Sequence, residues 1–247
     1  MPRKARQKSS TGIYHIIQRG INKQNLFQDE EDKATYLERL LSYKKTCGFK
    51  LYAYCLMDNH IHLLIKEEDV CISSVMKRIG ASYVYWYNWK YNRVGHLFQD
   101  RYKSEPVEDD SYLLTVLRYI HQNPVKVGLT IDTWTSYDNY LSDSEITDVE
   151  PLLKLFSNDI NTARLEFVKH MNEKTNDICL EITDIKRITD EEAKEIAKNL
   201  GLSTYQELHQ MDKVSRNNML RLLKGEGLSI RQLERLSGIS RGVILNA

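Results

Sequence analysis

The sequence predicts an α+β protein, with a ferredoxin-like, split βαβ antiparallel sheet in front and an all-α region behind it. Two observations carry this. The first 130 residues alternate short runs of β-branched and aromatic residues with helix-period segments, in the order β-α-β-β-α-β-α. After Gly128 the strand signals stop, and polar, acidic and helical segments follow.

The elements come in order. TGIYHIIQR at 11–19 is rich in β-branched and aromatic residues and stops at Gly20, so it reads as a strand. Residues 30–46 place Tyr36, Leu37, Leu40 and Leu41 at helical spacing and end before Gly48. Strands are expected at 49–57 and 60–66, with only Asp58 and Asn59 between them, a tight hairpin. A helix follows over about 72–92, then a loop at 93–96, a short strand near 104–107 and a helix over 110–123 closed by Pro124. Beyond 131–150, a polar and acidic linker, residues 152–171 and 190–200 look helical. Residues 228–245 read as a helix, a turn at Gly238 and a second short helix, a helix-turn-helix pattern.

The formal net charge of +1 conceals its distribution. Residues 1–130 hold 20 basic and 14 acidic side chains, residues 131–200 hold 8 and 16, and residues 201–247 hold 7 and 4. A basic front and a basic tail around an acidic middle divide the chain into 1–130, an acidic linker and helical region at 131–184, and a helical, DNA-binding unit at 185–247. No apolar run is long enough to span a bilayer. Ser9, Ser10 and Thr11 follow the basic N-terminus where a secretory signal would have an apolar core. Four cysteines without CxxC spacing read as reduced thiols of a cytoplasmic protein.

The sharpest chemical feature is DNHIHLLI at 58–65. Strand alternation puts His60 and His62 on one face and Ile61, Leu63 and Ile65 on the other. Two neutral imidazoles so close suit one metal ion, although two polar residues on a solvated sheet face would give the same pattern. On the 110–123 helix, Leu113, Val116, Leu117 and Ile120 form an apolar stripe, with Tyr119 and Asn123 one turn apart beside it. A phenol oxygen and a carboxamide oxygen there can serve one centre as nucleophile and ligand. On pattern alone packing by Tyr119 and helix capping by Asn123 are the favoured explanation, and Tyr112, within about 20° of Tyr119 around the helix, is a rival nucleophile.

Three segments, MDNHIHLLIK at 57–66, RVGHLFQDRYKS at 93–104 and RYIHQNPVKVGL at 118–129, resemble the REP-associated tyrosine transposases. These are single-tyrosine members of the HUH class of single-strand DNA endonucleases. GIYHIIQRGINKQNLF at 12–27 fits the same pattern, and Asp58 stands where relatives often have Pro. The resemblance implies His60 and His62 as metal ligands, Asn123 as the third ligand, and Tyr119, in the YIHxNP motif, as the nucleophile. It implies a divalent cofactor, Mg²⁺ or Mn²⁺, and single-stranded or hairpin DNA as partner, cleaved and rejoined through a 5′-phosphotyrosine. Neither a membrane nor a small-molecule substrate is expected, and relatives include monomers and homodimers.

Aromatics crowd 83–91 among basic residues, a pattern that suits base stacking, with about half expected in the core. Arg19, Lys23, Arg101, Lys103, Arg118 and Arg241 are candidate phosphate contacts. The rival reading from another class is a non-catalytic, sequence-specific DNA-binding regulator that uses the C-terminal unit.

Overall fold

The computed structural model describes residues 6–142, 145–175, 177, 179–181 and 188–247. They form two compact units, residues 1–182 and 183–247.

The first unit is built on four strands, β1 (Ile13–Arg19), β2 (Lys50–Met57), β3 (His60–Lys66) and β4 (Lys103–Pro106), in the order β2-β3-β1-β4. Every pairing is antiparallel. With α1 (Glu30–Cys47) after β1 and α2 (Ile72–Lys90) after β3, this is the expected split βαβ arrangement. Local chemistry sets the boundaries. Asp29 caps α1 by accepting from the Asp32 amide, and Gly48 ends it at φ 70°, a left-handed position that favours glycine. Met57 and His60 pair directly, so the two-residue turn is the one expected at Asp58 and Asn59.

The sheet has two different faces. On one, Ile61, Leu63 and Ile65 pack with Tyr36 and Leu40 of α1 and Val75, Met76 and Ile79 of α2 in a dry core. On the other, Ala53, Cys55 and Leu64 meet α3 (Asp110–Gln122), whose Leu113, Val116, Leu117 and Ile120 are all buried. A bulge between Leu51 and Ala53 lets both faces be served. Leu51 packs with the first core and Ala53 with the second, which unbroken alternation would forbid.

Residues 131–175 depart from the linker expectation. Leu56 donates to the Trp134 carbonyl at 2.9 Å, the Ser136 amide donates to Tyr54 O at 3.1 Å, and Asp148 donates to Leu51 O at 2.7 Å. This segment therefore closes the open edge of β2, where unpaired backbone groups would otherwise need a partner. The helix expected over 152–171 is divided into α5 (Glu150–Leu153) and α6 (Ile160–Asn172), because Asp159 caps a new start through the Thr162 amide. Ahead of them in sequence lies α4 (Tyr137–Leu141), and its Tyr140 stacks on Phe167 of α6 at 4.4 Å and 6°. Acidic surface residues conceal this aromatic layer from composition alone.

The second unit contains α7 (Asp190–Asn199), α8 (Lys213–Gly225), α9 (Ile230–Ser237) and α10 (Arg241–Asn246) around Leu202, Leu208, Leu220, Leu223, Leu233 and Ile244. Thr189 and Glu192 form a capping box on α7. The turn between α9 and α10 is made by Gly238 at φ 75°. Helix α8 has no counterpart in the sequence expectation, because Arg216, Asn217 and Asn218 dilute its apolar stripe. Among the described residues no helix is long and apolar enough to cross a membrane.

Candidate functional site

The face of the sheet covered by α3 carries the candidate site residues. Strand β3 turns His60 and His62 onto it, with ring centroids 5.0 Å apart. Helix α3, capped by Asp109 through the Tyr112 amide, lays Tyr119 over the same face. The Tyr119 ring lies 5.7 Å from that of His62. Two pattern-based candidates on different elements are thus brought together, and Tyr119 is distinguished from Tyr112, whose hydroxyl donates to Glu105 at 2.6 Å.

Asn123 is buried at the end of α3, where its amide nitrogen donates to the Tyr119 carbonyl at 2.7 Å. It is a helix cap, as one of the two readings of the pattern expects. With the NH₂ group so engaged, the carbonyl oxygen is the end of the amide left to act as a donor to a cation.

Three residues at this site escape the sequence pattern. His15, fully buried on β1, stacks on His62 at 5.3 Å and lies 5.8 Å from the Tyr119 ring. Its strand was recognisable, but a single histidine among apolar residues carries no pairing signal. Glu181 accepts the Tyr119 hydroxyl proton in a 2.8 Å hydrogen bond, and it follows α3 by about sixty residues with no motif around it. Lys126, just past the helix, holds its ammonium 3.7 Å from the Tyr119 ring centroid and 3.8 Å from Glu181.

Burial dominates the titration of these groups. It pushes the His60 pKa down to about 4, with the Arg19 and Lys126 charges acting in the same direction. His62 is driven well below the usual imidazole range by burial and then by its neighbours His15, His60 and Lys126. Both are therefore neutral at pH 7, the form in which an imidazole nitrogen can donate to a metal. The Tyr119 phenol is pushed upward by burial first and by Glu181 second, so its resting form is protonated.

The donor chemistry fits a divalent ion. His60 Nδ1 lies 2.7 Å from Asn59 Oδ1, and His62 Nδ1 lies 3.0 Å from His15 Nε2. Each ring thus has one nitrogen engaged within the protein and Nε2 left for a ligand, the usual arrangement around metal-bound imidazoles. Among the described residues no cluster of three His, Cys, Asp or Glu side chains forms a cage, so a third protein donor would be of another type, such as the Asn123 carbonyl.

The candidate DNA contacts divide. Arg118 is a correction: it is buried, bound to Asp177 through two nitrogens at 2.8 and 3.1 Å and paired with Glu173. A side chain held by two carboxylates in the interior is an internal tie, since α3 turns that face toward α6. Arg19 lies half-buried across from His60 in the β1–β3 register. Lys23, Arg101 and Lys103 are exposed. Arg241, in the second unit, is paired with Glu234. Along α2, Tyr83 and Tyr87 are core residues, whereas Tyr85 and Trp89 are 80% and 75% exposed. Beside Tyr85, a groove of about 900 Å³ is lined by Arg6, Lys77, Phe98, Arg101 and Tyr102 among others. The Arg6 guanidinium sits 3.8 Å over the Tyr102 ring.

Comparison with known proteins agrees in part with the sequence resemblance. A REP-associated tyrosine transposase solved bound to a REP hairpin is similar at 15% identity and a TM-score of 0.49, with 60% of this chain and 94% of that one covered. A putative transposase from Deinococcus radiodurans R1 is similar at 16% identity and a TM-score of 0.35, with 52% of this chain and 99% of that one covered. No curated protein matches the chain. A family model does match: residues 8–123, which supply both strand histidines, Tyr119 and Asn123, fit the family described as transposase, IS200 like. The front of this chain is therefore similar, over residues 8–123, to the IS200-like transposase family.

Proposed function

We propose that the protein is a metal-dependent, single-tyrosine DNA endonuclease and strand transferase acting on single-stranded or hairpin-forming repetitive palindromic DNA. The observation that carries this reading is the meeting of the Tyr119 ring with the His62 ring at 5.7 Å across the helix–sheet interface. His60, His62 and the Asn123 carbonyl would hold the divalent ion, Mg²⁺ or Mn²⁺, with two imidazoles favouring Mn²⁺. When bound, the ion supplies Lewis acidity toward a non-bridging phosphate oxygen and fixes the phosphate in place.

The chain's own residues do the rest. Tyr119 Oη attacks phosphorus, the bond to the 3′ oxygen breaks, that oxygen takes a proton from solvent, and a 5′-phosphotyrosine and a free 3′-hydroxyl result. The energy of the phosphodiester is retained in the adduct, so a second 3′-hydroxyl reverses the step and joins strands. Because the resting phenol is protonated, its proton must leave as the new bond forms. Glu181, already its hydrogen-bond acceptor at 2.8 Å, receives it. Lys126, over the ring, stabilises the negative charge that develops on the phenol oxygen.

Exposed Tyr85 and Trp89 would stack on unpaired bases, and Lys23, Arg101 and Lys103 would contact phosphates. The α9–Gly238–α10 turn of the second unit resembles a helix-turn-helix and would add a further DNA contact through Arg241. The protein would work in the cytoplasm on chromosomal DNA, as a monomer or homodimer.

Incubation with a labelled DNA hairpin and Mn²⁺ tests this. The expected product is a covalent protein–DNA adduct that survives denaturation and is absent from Tyr119→Phe. A mobility shift without an adduct would favour the regulator, and cleavage without attachment would indicate a hydrolase.

A further inference from the structure

The third histidine has no part in the proposed reaction, yet it is completely buried beside it. Three strands deliver a row of polar side chains across the sheet. Glu105 on β4 faces His15 on β1 as a direct cross-strand partner, and His62 on β3 lies one step along from His15, opposite Ile17. His15 Nε2 is 3.0 Å from His62 Nδ1, and the rings stack with 23° between their planes. On the other side of the ring, His15 Nδ1 has no hydrogen-bond partner, and the nearest opposing charge is Glu105 Oε2 at 3.9 Å.

We infer that His15 is a positioning residue that fixes the tautomer and orientation of His62, with Glu105 setting the direction of the relay. The protons can be placed by elimination. Glu105 Oε2 already accepts from the Tyr112 hydroxyl at 2.6 Å and from the Leu180 amide at 3.1 Å, the pattern of an ionised carboxylate. A lone pair on His15 Nδ1 facing that carboxylate is repelled, so Nδ1 carries the proton. A neutral His15 then has its lone pair on Nε2 and can only accept. His62 must donate to it from Nδ1, which leaves the His62 lone pair on Nε2. Three strands held in register therefore decide which nitrogen of His62 is available to a cation.

This deepens the reading of His62 as a metal ligand and rests on it, but its first test requires neither metal nor DNA. Nitrogen-15 NMR of the metal-free protein at pH 7.5 reports the His62 tautomer. The expected result is Nδ1–H in the wild type, with His15→Phe, which conserves ring volume, moving His62 toward the Nε2–H form of a free imidazole. His15→Gln keeps an acceptor oxygen and should restore Nδ1–H. Mn²⁺ titration should then show affinity about 10- to 100-fold weaker in His15→Phe and within a few-fold of wild type in His15→Gln. Glu105→Gln should fall between. Spin-echo spectroscopy of the Mn²⁺-loaded wild type should count two coordinated imidazoles. Nε2–H at His62 in the wild type, unchanged affinity in a folded His15→Phe, or a third coordinated imidazole would each overturn the inference. Wild-type protein that takes up no Mn²⁺ would instead overturn the ligand reading beneath it, so the two failures are separable.

Discussion

The two faces of one sheet put the same backbone to opposite uses. Toward α1 and α2, Ile61, Leu63 and Ile65 are all fully buried. Toward α3, the neighbouring positions on the same strand carry His60 and His62, and β1 adds His15. The first face is optimised for area removed from water. The second encloses several imidazoles, a phenol and a carboxamide that are bonded to one another and to Asn59 and Glu181, while His15 Nδ1 has no hydrogen-bond partner. A strand thus supports reactive groups on one side only because its other side supplies most of the stability.

The strongest test of that division is Tyr119→Phe. It should abolish adduct formation, a loss of at least about 10³-fold, while costing no more than about 1 kcal/mol of stability for one hydrogen bond. Denaturant melts and denaturing gels on the same preparation check both halves. Across the sheet, Leu63→Ala should do the reverse, with stability falling by about 2–5 kcal/mol and any surviving folded protein retaining its site. If Leu63→Ala were as well tolerated as Tyr119→Phe, the contrast between the faces would not hold.

Smaller effects sharpen the comparison. Arg118→Met should lower stability by about 3 kcal/mol, because Asp177 and Glu173 lose their shared cation, but it should leave the salt dependence of DNA binding unchanged. Tyr85→Ala and Trp89→Ala, on the solvent side of α2, should each weaken single-strand binding by about 1–3 kcal/mol with no change in melting temperature.

The pH response should be the gentlest. Burial pushes His60 down to about 4 and His121 down to about 3, whereas the unfolded chain binds those protons near pH 6.5. Stability is therefore flat above about pH 7 and falls as pH drops from about 6.5 toward 4. Fully buried His121 steepens that slope by at most about 1.4 kcal/mol per pH unit. Urea midpoints at pH 7, 6 and 5 should show it, and His121→Phe should flatten it.

The order of elements along the front of the chain was readable because strand length, the two-residue turn at Asp58 and Asn59, and the apolar stripe of α3 each act over a few residues. The histidine pair and the face of Tyr119 were readable for the same reason, since alternation and helical period place them without knowledge of the rest. Glu181, Lys126 and the relay from Glu105 to His15 were not, because each depends on which strands and segments become neighbours. Arg118 shows the opposite error. A basic residue next to a motif suggests DNA, but its direction is set by the Asp177 and Glu173 carboxylates far along the chain. The acidic stretch after residue 131 misleads likewise, since its charges lie outside an aromatic layer anchored by Tyr140 and Phe167.

The histidines and the tyrosine are not held with equal stiffness. His60 and His62 sit on a strand bonded on both flanks, by β1 and by β2, so their spacing is clamped by a ladder that yields only by breaking. Tyr119 stands on a helix that rests on the sheet mainly through the apolar contacts of Leu113, Val116, Leu117 and Ile120, with the Tyr112–Glu105 hydrogen bond at its far end. The gap between the Tyr119 phenol and the imidazoles is therefore the more compliant dimension of the site. A slide of α3 by a fraction of its pitch would alter reach while leaving the donor geometry intact, so distant substitutions under the helix should retune rate before they disturb metal affinity.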